Sequence, residues 1–297
     1  NLDRLASGGI RFTQFYSTAR CCPTRATLMT GLYAHQAGVG HMMEDRGSDG
    51  YRGDLNDRCV TIAEVLKPAG YGTYMAGKWH VTRYTKPEGP KHNWPKHRGF
   101  DRFYGTITGA GNYFRPTTLT DEDEMVPAPQ EEGYYYTDAI GQHAVKFIAE
   151  HHAAGPDKPL FLYVAFTSPH WPLHAPAEDI ARYRGKYQAG WDTLRARRHA
   201  RQIAIGLVDK SWPLTPRDPA AKAWNDVSEE KRTDMDLRMA IYAAQVDRMD
   251  QNIGRIVEAL RKAGRLDNTL LLFLADNGGC AEGGPWGFDR EPKGTVG

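Results

Sequence analysis

A chain of 297 residues is long enough to bury a substantial core, and 40% hydrophobic against 25% charged residues is the balance of a globular protein. Its 38 basic and 36 acidic residues leave a formal net charge of +2, which excludes a general pull on nucleic acid or a membrane surface, so any anion binding must be local. No apolar run approaches the roughly 20 residues of a membrane-spanning helix, and the scattered cysteines Cys21, Cys22, Cys59 and Cys280 give neither a disulfide framework nor the paired C-x2-C spacing of a zinc site.

In chain order, Ile10 to Ser17 alternates among aromatic and β-branched residues and predicts a strand. It leads into Arg20-Cys21-Cys22-Pro23-Thr24-Arg25-Ala26-Thr27-Leu28-Met29-Thr30-Gly31, which predicts a loop entering a short helix. Pro23 suits the first turn, Ala26, Leu28 and Met29 favour helix, and Gly31 suits a left-handed cap. Cys21 then stands at the helix N-terminus, where free backbone donors and the dipole welcome an oxyanion and acidify a thiol. Arg25 projects from the same face one turn later. Taken alone, the same residues also describe an ordinary helix start with two buried thiols.

Cys59 to Ala69 reads as a helix with Ile62, Val65 and Leu66 on one face and Gly70 ending it. The next segment, Tyr71 to His80, predicts a short strand, and Lys78 and His80 face the same way if the chain stays extended, either as site residues or as a solvated strand end. Thr82 to Arg98 reads as surface loop, and so does Gly109 to Gly133. Tyr136 to His152 is a helix by pattern with Thr137 as its N-cap, closed by Pro156 and Pro159. Leu160 to Phe166 predicts a central parallel strand opening into Ser168-Pro169-His170.

Tyr183 to Arg232 is a basic, then proline-rich insertion, in which Arg195, Arg197, Arg198 and Arg201 read as a solvated helix face or, alternatively, as a hold on a polyanionic substrate. A long amphipathic helix follows, carrying Met239, Tyr242, Val246, Met249, Ile253, Ile256 and Leu260 on its core stripe. Thr269 to Ala275 predicts a third buried strand ending in Asp276-Asn277-Gly278, whose side-chain oxygens suit either a hard cation or a simple turn. Three strands ending in Lys78/His80, His170 and Asp276/Asn277 place their polar residues where open α/β sheets bind ligands.

Cys21-Cys22-Pro23-Thr24-Arg25 with Thr30-Gly31 resembles the C-x-P-[ST]-R-x-x-x-x-T-G signature of the type I, formylglycine-dependent sulfatases. Further segments carry the same resemblance: N-L-D-x-L-A at Asn1, G-K-W-H at Gly77, G-F-D-x-F-Y-G at Gly99, S-P-H-W-P-L at Ser168 and D-N-G at Asp276. The pair W-D-x-L-R (Trp191 to Arg195) and Arg201-Gln202 resembles the bacterial arylsulfatases. The resemblance implies an α/β alkaline-phosphatase-like fold with a mostly parallel sheet flanked by helices. It implies one catalytic domain over residues 1–297, lacking a first strand with two metal-binding Asp residues and a C-terminal subdomain. Lys293 before Gly294-Thr295 resembles the family's G-K-G-T only superficially, because no E-G-G follows.

For function, the resemblance implies hydrolysis of sulfate monoesters, small molecules or carbohydrates, by a formylglycine made from Cys21 and not from Cys22. Arg25, Lys78, His80 and His170 are then catalytic. Asp276, Asn277 and the modified residue 21 are then ligands of Ca2+. A formylglycine-generating enzyme becomes an obligatory partner, and the full-length protein is expected in the periplasm or secreted. Phosphomonoester or phosphonate hydrolysis within the same superfamily is the alternative chemistry, and a non-catalytic anion- or glycan-binding module the alternative class.

Overall fold

The computed structural model describes residues 1–280 and 283–287, so Lys293, Gly294 and Thr295 lie outside the described residues. The described chain forms two compact units. Among the described residues, one comprises Asn1, Tyr16–Ser168 and Met249–Gly279, and the other Leu2–Phe15, Pro169–Arg248, Cys280 and residues 283–287.

The first unit is built on a five-stranded sheet of β1 (Gly72–Lys78), β2 (Arg102–Thr106), β3 (Leu119–Asp121), β4 (Glu124–Met125) and β5 (Leu160–Ala165), in the order β4-β3-β2-β1-β5. β1 pairs in parallel with β2 on one side and β5 on the other, and β3 and β4 add an antiparallel hairpin beyond β2. The helices are α1 (Leu2–Ser7), α2 (Cys21–Thr30), α3 (Ile62–Leu66), α4 (Tyr136–Ala154), α5 (Ala177–Ala181), α6 (Gly190–Ala204) and α7 (Glu229–Lys262).

Successive side chains of a strand face opposite ways, and the sheet uses both faces. Met75 and Phe103 look toward α2 and α3, joining Cys22, Ala26, Met29, Ala63, Trp79 and Trp94 in one core. Ala76 and Tyr104 look the other way, into a core made with Ile140, Ala144, Phe147 and Ile148 of α4 and Ile256 and Leu260 of α7. The α/β expectation is therefore met, with the parallel strands sandwiched between helical layers.

Several local expectations are corrected. Ile10 to Ser17 forms no strand, and Ile10, Phe12 and Tyr16 are exposed, because no described strand lies beside the segment to pair with it. α3 keeps its predicted helix but turns Ile62 and Val65 outward and buries Ala63. Its placement comes from a Thr61/Glu64 capping box, with Glu64 also accepting from Arg98 Nε (3.0 Å). The stretch before Arg98 is polar in composition yet partly interior. Asn93 Nδ2 donates to Leu55 O (2.6 Å), Trp79 Nε1 to Asn93 O (2.6 Å) and Arg98 Nη2 to Cys59 O (2.8 Å). Residues 109–133 are not all loop but contain the β3–β4 hairpin, pinned by Lys96 Nζ donating to Glu122 Oε2 (2.8 Å).

Thr137 is not the cap of α4. Tyr135 takes that place, and the Thr137 and Ser168 hydroxyls lie 2.8 Å apart. β5 is parallel as expected but stands at an edge of the described sheet. The apolar run 269–275 is neither strand nor buried, with Leu270 84% and Leu272 71% exposed. Hydrophobic composition cannot hold a strand without a neighbour to complete its ladder.

In the second unit, α5 and the first part of α7 pack around Ala175, Ile180, Ala240 and Ala244, while α6 lies against the turn at Trp224–Asp226. Fully buried Asp179 accepts from Arg182 Nη2 (2.5 Å) and Arg248 Nε (2.6 Å). Along α7 the expected stripe holds for Met249, Ile253, Ile256 and Leu260. Near its start, Met235, Ala240 and Ala244 are buried instead of Met239 and Tyr242. Arg197, Arg198 and Arg201 lie on the solvated side of α6 as expected, while Arg195 Nη2 reaches back to Thr215 O (3.0 Å).

Candidate active site

α2 starts at Cys21, after an extended Arg20 whose side chain makes no cap, and ends in a left-handed Gly31 whose N–H donates to Thr27 O (2.8 Å). The first turn therefore keeps backbone donors and the positive dipole end beside residue 21. Cys21 is only 7% exposed, and Cys22 is fully buried beside it. All four cysteines are free thiols, as their spacing predicts.

Arg25, one turn on, is buried and fixed by three contacts. Its Nε donates to Asp276 Oδ2 (2.7 Å), and its Nη1 to Lys78 O (2.5 Å) and to the Tyr163 hydroxyl (3.2 Å). Burial opposes the charge on Arg25, but Tyr163 and Asp276 outweigh it and raise the pKa. The guanidinium is thus a permanent cation whose direction is set.

Lys78 ends β1 with its side chain buried. The strand can carry it there because Gly77 (φ 118°) and Gly105 lie opposite one another in the β1–β2 register. A Cβ on Gly105 would lie 1.8 Å from Gly77 O, and one on Gly77 2.1 Å from Ala165 O, so three backbones meet too closely for any side chain. Burial, then the charge of Arg25, lowers the Lys78 pKa.

Lys78 and His80 converge as expected, though not by an extended backbone. His80 has φ 63°, and its N–H donates to Ile107 O (3.0 Å), so the chain turns while still paired to the segment after β2. A non-glycine residue held there stores of order 1–3 kcal/mol of strain. Its ring lies against Gly109, where a Cβ would come within 2.5 Å of the imidazole. Burial pushes the His80 pKa down to about 4, so the imidazole is neutral near pH 7.

Cys21 is the acidic thiol of its pair. A hydrogen bond from Cys22 lowers its pKa most, with His80 and the Lys78 charge adding to this against burial. The same contact, together with burial, raises Cys22. Neither the hydrogen bond of Cys22 to Cys21 nor the contact of Tyr163 with Arg25 is marked in the sequence, where Tyr163 is one aromatic inside an apolar run and carries no pattern of its own.

The first unit thus brings Cys21, Arg25, Lys78, His80 and Asp276 together. Asn277 follows Asp276, with its Nδ2 donating to Gly278 O (2.8 Å). His170 belongs to the second unit, where its Nδ1 lies 2.7 Å from Trp171 O. The sequence model of the Sulfatase family matches residues 1–295. This chain belongs to the sulfatase family.

Two curated relatives and one solved structure illustrate the kinship. The chain is 36% identical to an uncharacterized sulfatase of Schizosaccharomyces pombe over 303 residues, covering 95% of this chain and 53% of the relative. It is 35% identical to the arylsulfatase of Klebsiella aerogenes over 292 residues, covering 94% and 60%. The solved structure of Ps i-CgsB in complex with k-i-k-neocarrahexaose superposes with a TM-score of 0.58 at 27% identity, covering 90% of this chain and 50% of that one. The chain therefore spans about half the length of the relatives it matches. Its fold is the family's alkaline-phosphatase-like one.

Membership of the sulfatase family implies a metal ion and a formylglycine in general. An aldehyde hydrate at position 21 suits its surroundings, since α2 backbone donors, Arg25 and Lys78 all favour oxygen bearing negative charge. Calcium is served less well by the donors present. It takes 6–8 oxygen ligands, whereas Asp276 and Asn277 offer one carboxylate and one carboxamide, and Asp276 Oδ2 is already held by Arg25. Among the described residues the only group of three or more His, Cys, Asp or Glu side chains with converging ligand atoms is Cys21, Cys22 and His80.

Proposed function

We propose that this chain is the catalytic domain of a sulfuric ester hydrolase of the arylsulfatase type, acting on sulfated small molecules or carbohydrates through a formylglycine formed at Cys21. The observation that carries the reading is the convergence of Arg25, Lys78 and His80 on residue 21 at the start of α2. Two buried cations and a helix N-terminus make a pocket for a tetrahedral anion, and nothing comparable is needed to steady a thiol alone.

When formed, the aldehyde hydrate supplies an oxygen nucleophile for sulfur. Arg25, held by Asp276 and Lys78 O, keeps a positive charge at that oxygen. Lys78 offsets charge on the sulfate oxygens, and its buried setting makes that attraction stronger than it would be in water. His80, neutral near pH 7, can accept a proton from the residue-21 hydroxyl. His170 enters the proposal on the S-P-H-W-P-L resemblance, as a donor to the leaving alcohol. Asp276 and Asn277 are proposed as this chain's share of a calcium site, and no step is routed through that ion.

The proposed Cys21 aldehyde would need a formylglycine-generating partner, and because sulfatases are often periplasmic or extracellular we propose the same setting for the full-length protein. No helix among the described residues is long and apolar enough to cross a membrane. The test is to coexpress the full-length protein with a formylglycine-generating enzyme, weigh the Cys21 peptide, and compare turnover of an aryl sulfate with that of an aryl phosphate. An aldehyde at residue 21 with the sulfate preferred supports the proposal. Turnover of sulfate by protein whose Cys21 remains a thiol, or a clear preference for phosphate, overturns it.

A further inference from the structure

We propose that, before its conversion, Cys21 joins Cys22 and His80 in a three-ligand site for a thiophilic closed-shell cation of the Zn2+ and Cd2+ class. One ligand atom from each residue lies within 4.8 Å of the other two. Tetrahedral zinc with bonds of about 2.3 Å to sulfur holds its ligand atoms about 3.8 Å apart. The three groups therefore need to close by at most about 1 Å around an ion, a movement within reach of χ rotation.

The donors are of the matching kind. Two thiols and an imidazole suit a soft or borderline ion, whereas Asp276 and Asn277 alone leave a hard one short of ligands. All three side chains are buried, at 7%, 0% and 5% exposure. His80 Nδ1 is buried and without a hydrogen-bond partner, an orphaned donor or acceptor in a site otherwise closely packed. Gly109 lies so close behind the ring that a Cβ there would come within 2.5 Å of it, which limits how far the imidazole can swing that way.

Charged groups of both signs face the sulfurs. Lys78 and Arg25 repel a cation but also stabilise the thiolates it needs, and Asp276 offsets part of their charge. On binding, each thiol still protonated releases its proton to solvent as its sulfur bonds the ion, while the neutral imidazole donates a lone pair, so no electron is transferred. The site and the aldehyde exclude each other, because conversion removes the Cys21 sulfur. One helix start would then serve a soft cation in the newly made chain and a sulfate ester in the mature one.

The full chain, made without formylglycine-generating activity and with Cys280→Ser to remove the exposed thiol, is reduced, stripped with a chelator and titrated with Cd2+. The readout is the ultraviolet thiolate-to-cadmium charge-transfer band, with Zn2+ as competitor. The expected result is one ion per chain, displaced by Zn2+. Cys22→Ser should weaken binding by more than about 100-fold, beyond the 10–100-fold cost of losing a supporting neighbour. His80→Ala should also weaken it, and the far-ultraviolet dichroism of each variant establishes that it has folded. Protein carrying the aldehyde at residue 21 should lose the band whether or not it hydrolyses sulfate, so the outcome does not depend on the enzymatic reading. A folded chain that takes up no Cd2+, or one whose uptake survives Cys22→Ser and His80→Ala unchanged, overturns the proposal.

Discussion

Strand β1 and the run 269–275 are both apolar stretches that lead into a candidate site residue, Lys78 in one case and Asp276 in the other, yet they are held in opposite ways. β1 has a parallel neighbour along each edge and a core on each face. The 269–275 run has no ladder, and only Leu271 leans on the α4–α7 core while Leu270, Leu272 and Phe273 are exposed; Asp276 at its end is tied through its side chain to Arg25 Nε. Lys78 is therefore positioned by backbone and Asp276 by a single charged contact. A strand is a property of its neighbours as much as of its own residues, and a site residue is only as well placed as the element behind it.

The contrast breaks most visibly at the glycine pair. Gly105→Ala should cost more than about 4 kcal/mol in urea unfolding, the range reserved for severe core disruption, because the new Cβ meets backbone on the β1 side. A loss below 1 kcal/mol would mean that β1 and β2 can part and that Lys78 is not held by backbone.

Next in size is Arg25→Leu. It leaves Asp276 and Lys78 O without their donor, at about 2 kcal/mol. Amide exchange should quicken at residues 274–278 while β1 stays protected. Equal protection in both proteins would show that Asp276 has another anchor.

Acid should sharpen the picture on the β1 side. Buried His151 lies 2.9 Å from the Tyr74 hydroxyl and 2.8 Å from Lys158 O, and burial lowers its pKa below the ordinary 6.5. Between that lowered value and 6.5 the unfolded chain binds the proton more readily. Stability from this group is thus complete above pH 6.5 and declines as the pH falls below it. Replacing His151 by Gln should flatten that part of the stability–pH curve, and an unchanged slope would clear His151 of the effect.

The smallest effect belongs to Leu272→Ser, expected within about 0.5 kcal/mol because the side chain is already in water. A larger loss would reveal that the run is covered in the folded protein.

The sequence shows α2 plainly because its signals are local, from Pro23 in the first turn to Gly31 at the cap. The convergence of Lys78 and His80 could be anticipated from their spacing, but the cause could not, since nothing in G-K-W-H announces a left-handed histidine. The β3–β4 hairpin is not legible in the sequence because Glu122 and Asp123 are not a glycine-bearing turn. Nor are Tyr163 and Cys22, because their roles arise from partners distant or adjacent in ways no periodicity marks. The 269–275 run departs from its expected strand for a different reason, as composition reports what a segment would prefer and not whether another strand lies beside it.

The paired glycines beneath Lys78 also bear on how such a site can diversify. Positions 77 and 105 accept no side chain, so mutation has no handle on the floor under the lysine. On the proposed reading, a change in the ester preferred would have to come from side chains around the site, since neither glycine beneath Lys78 can be given one.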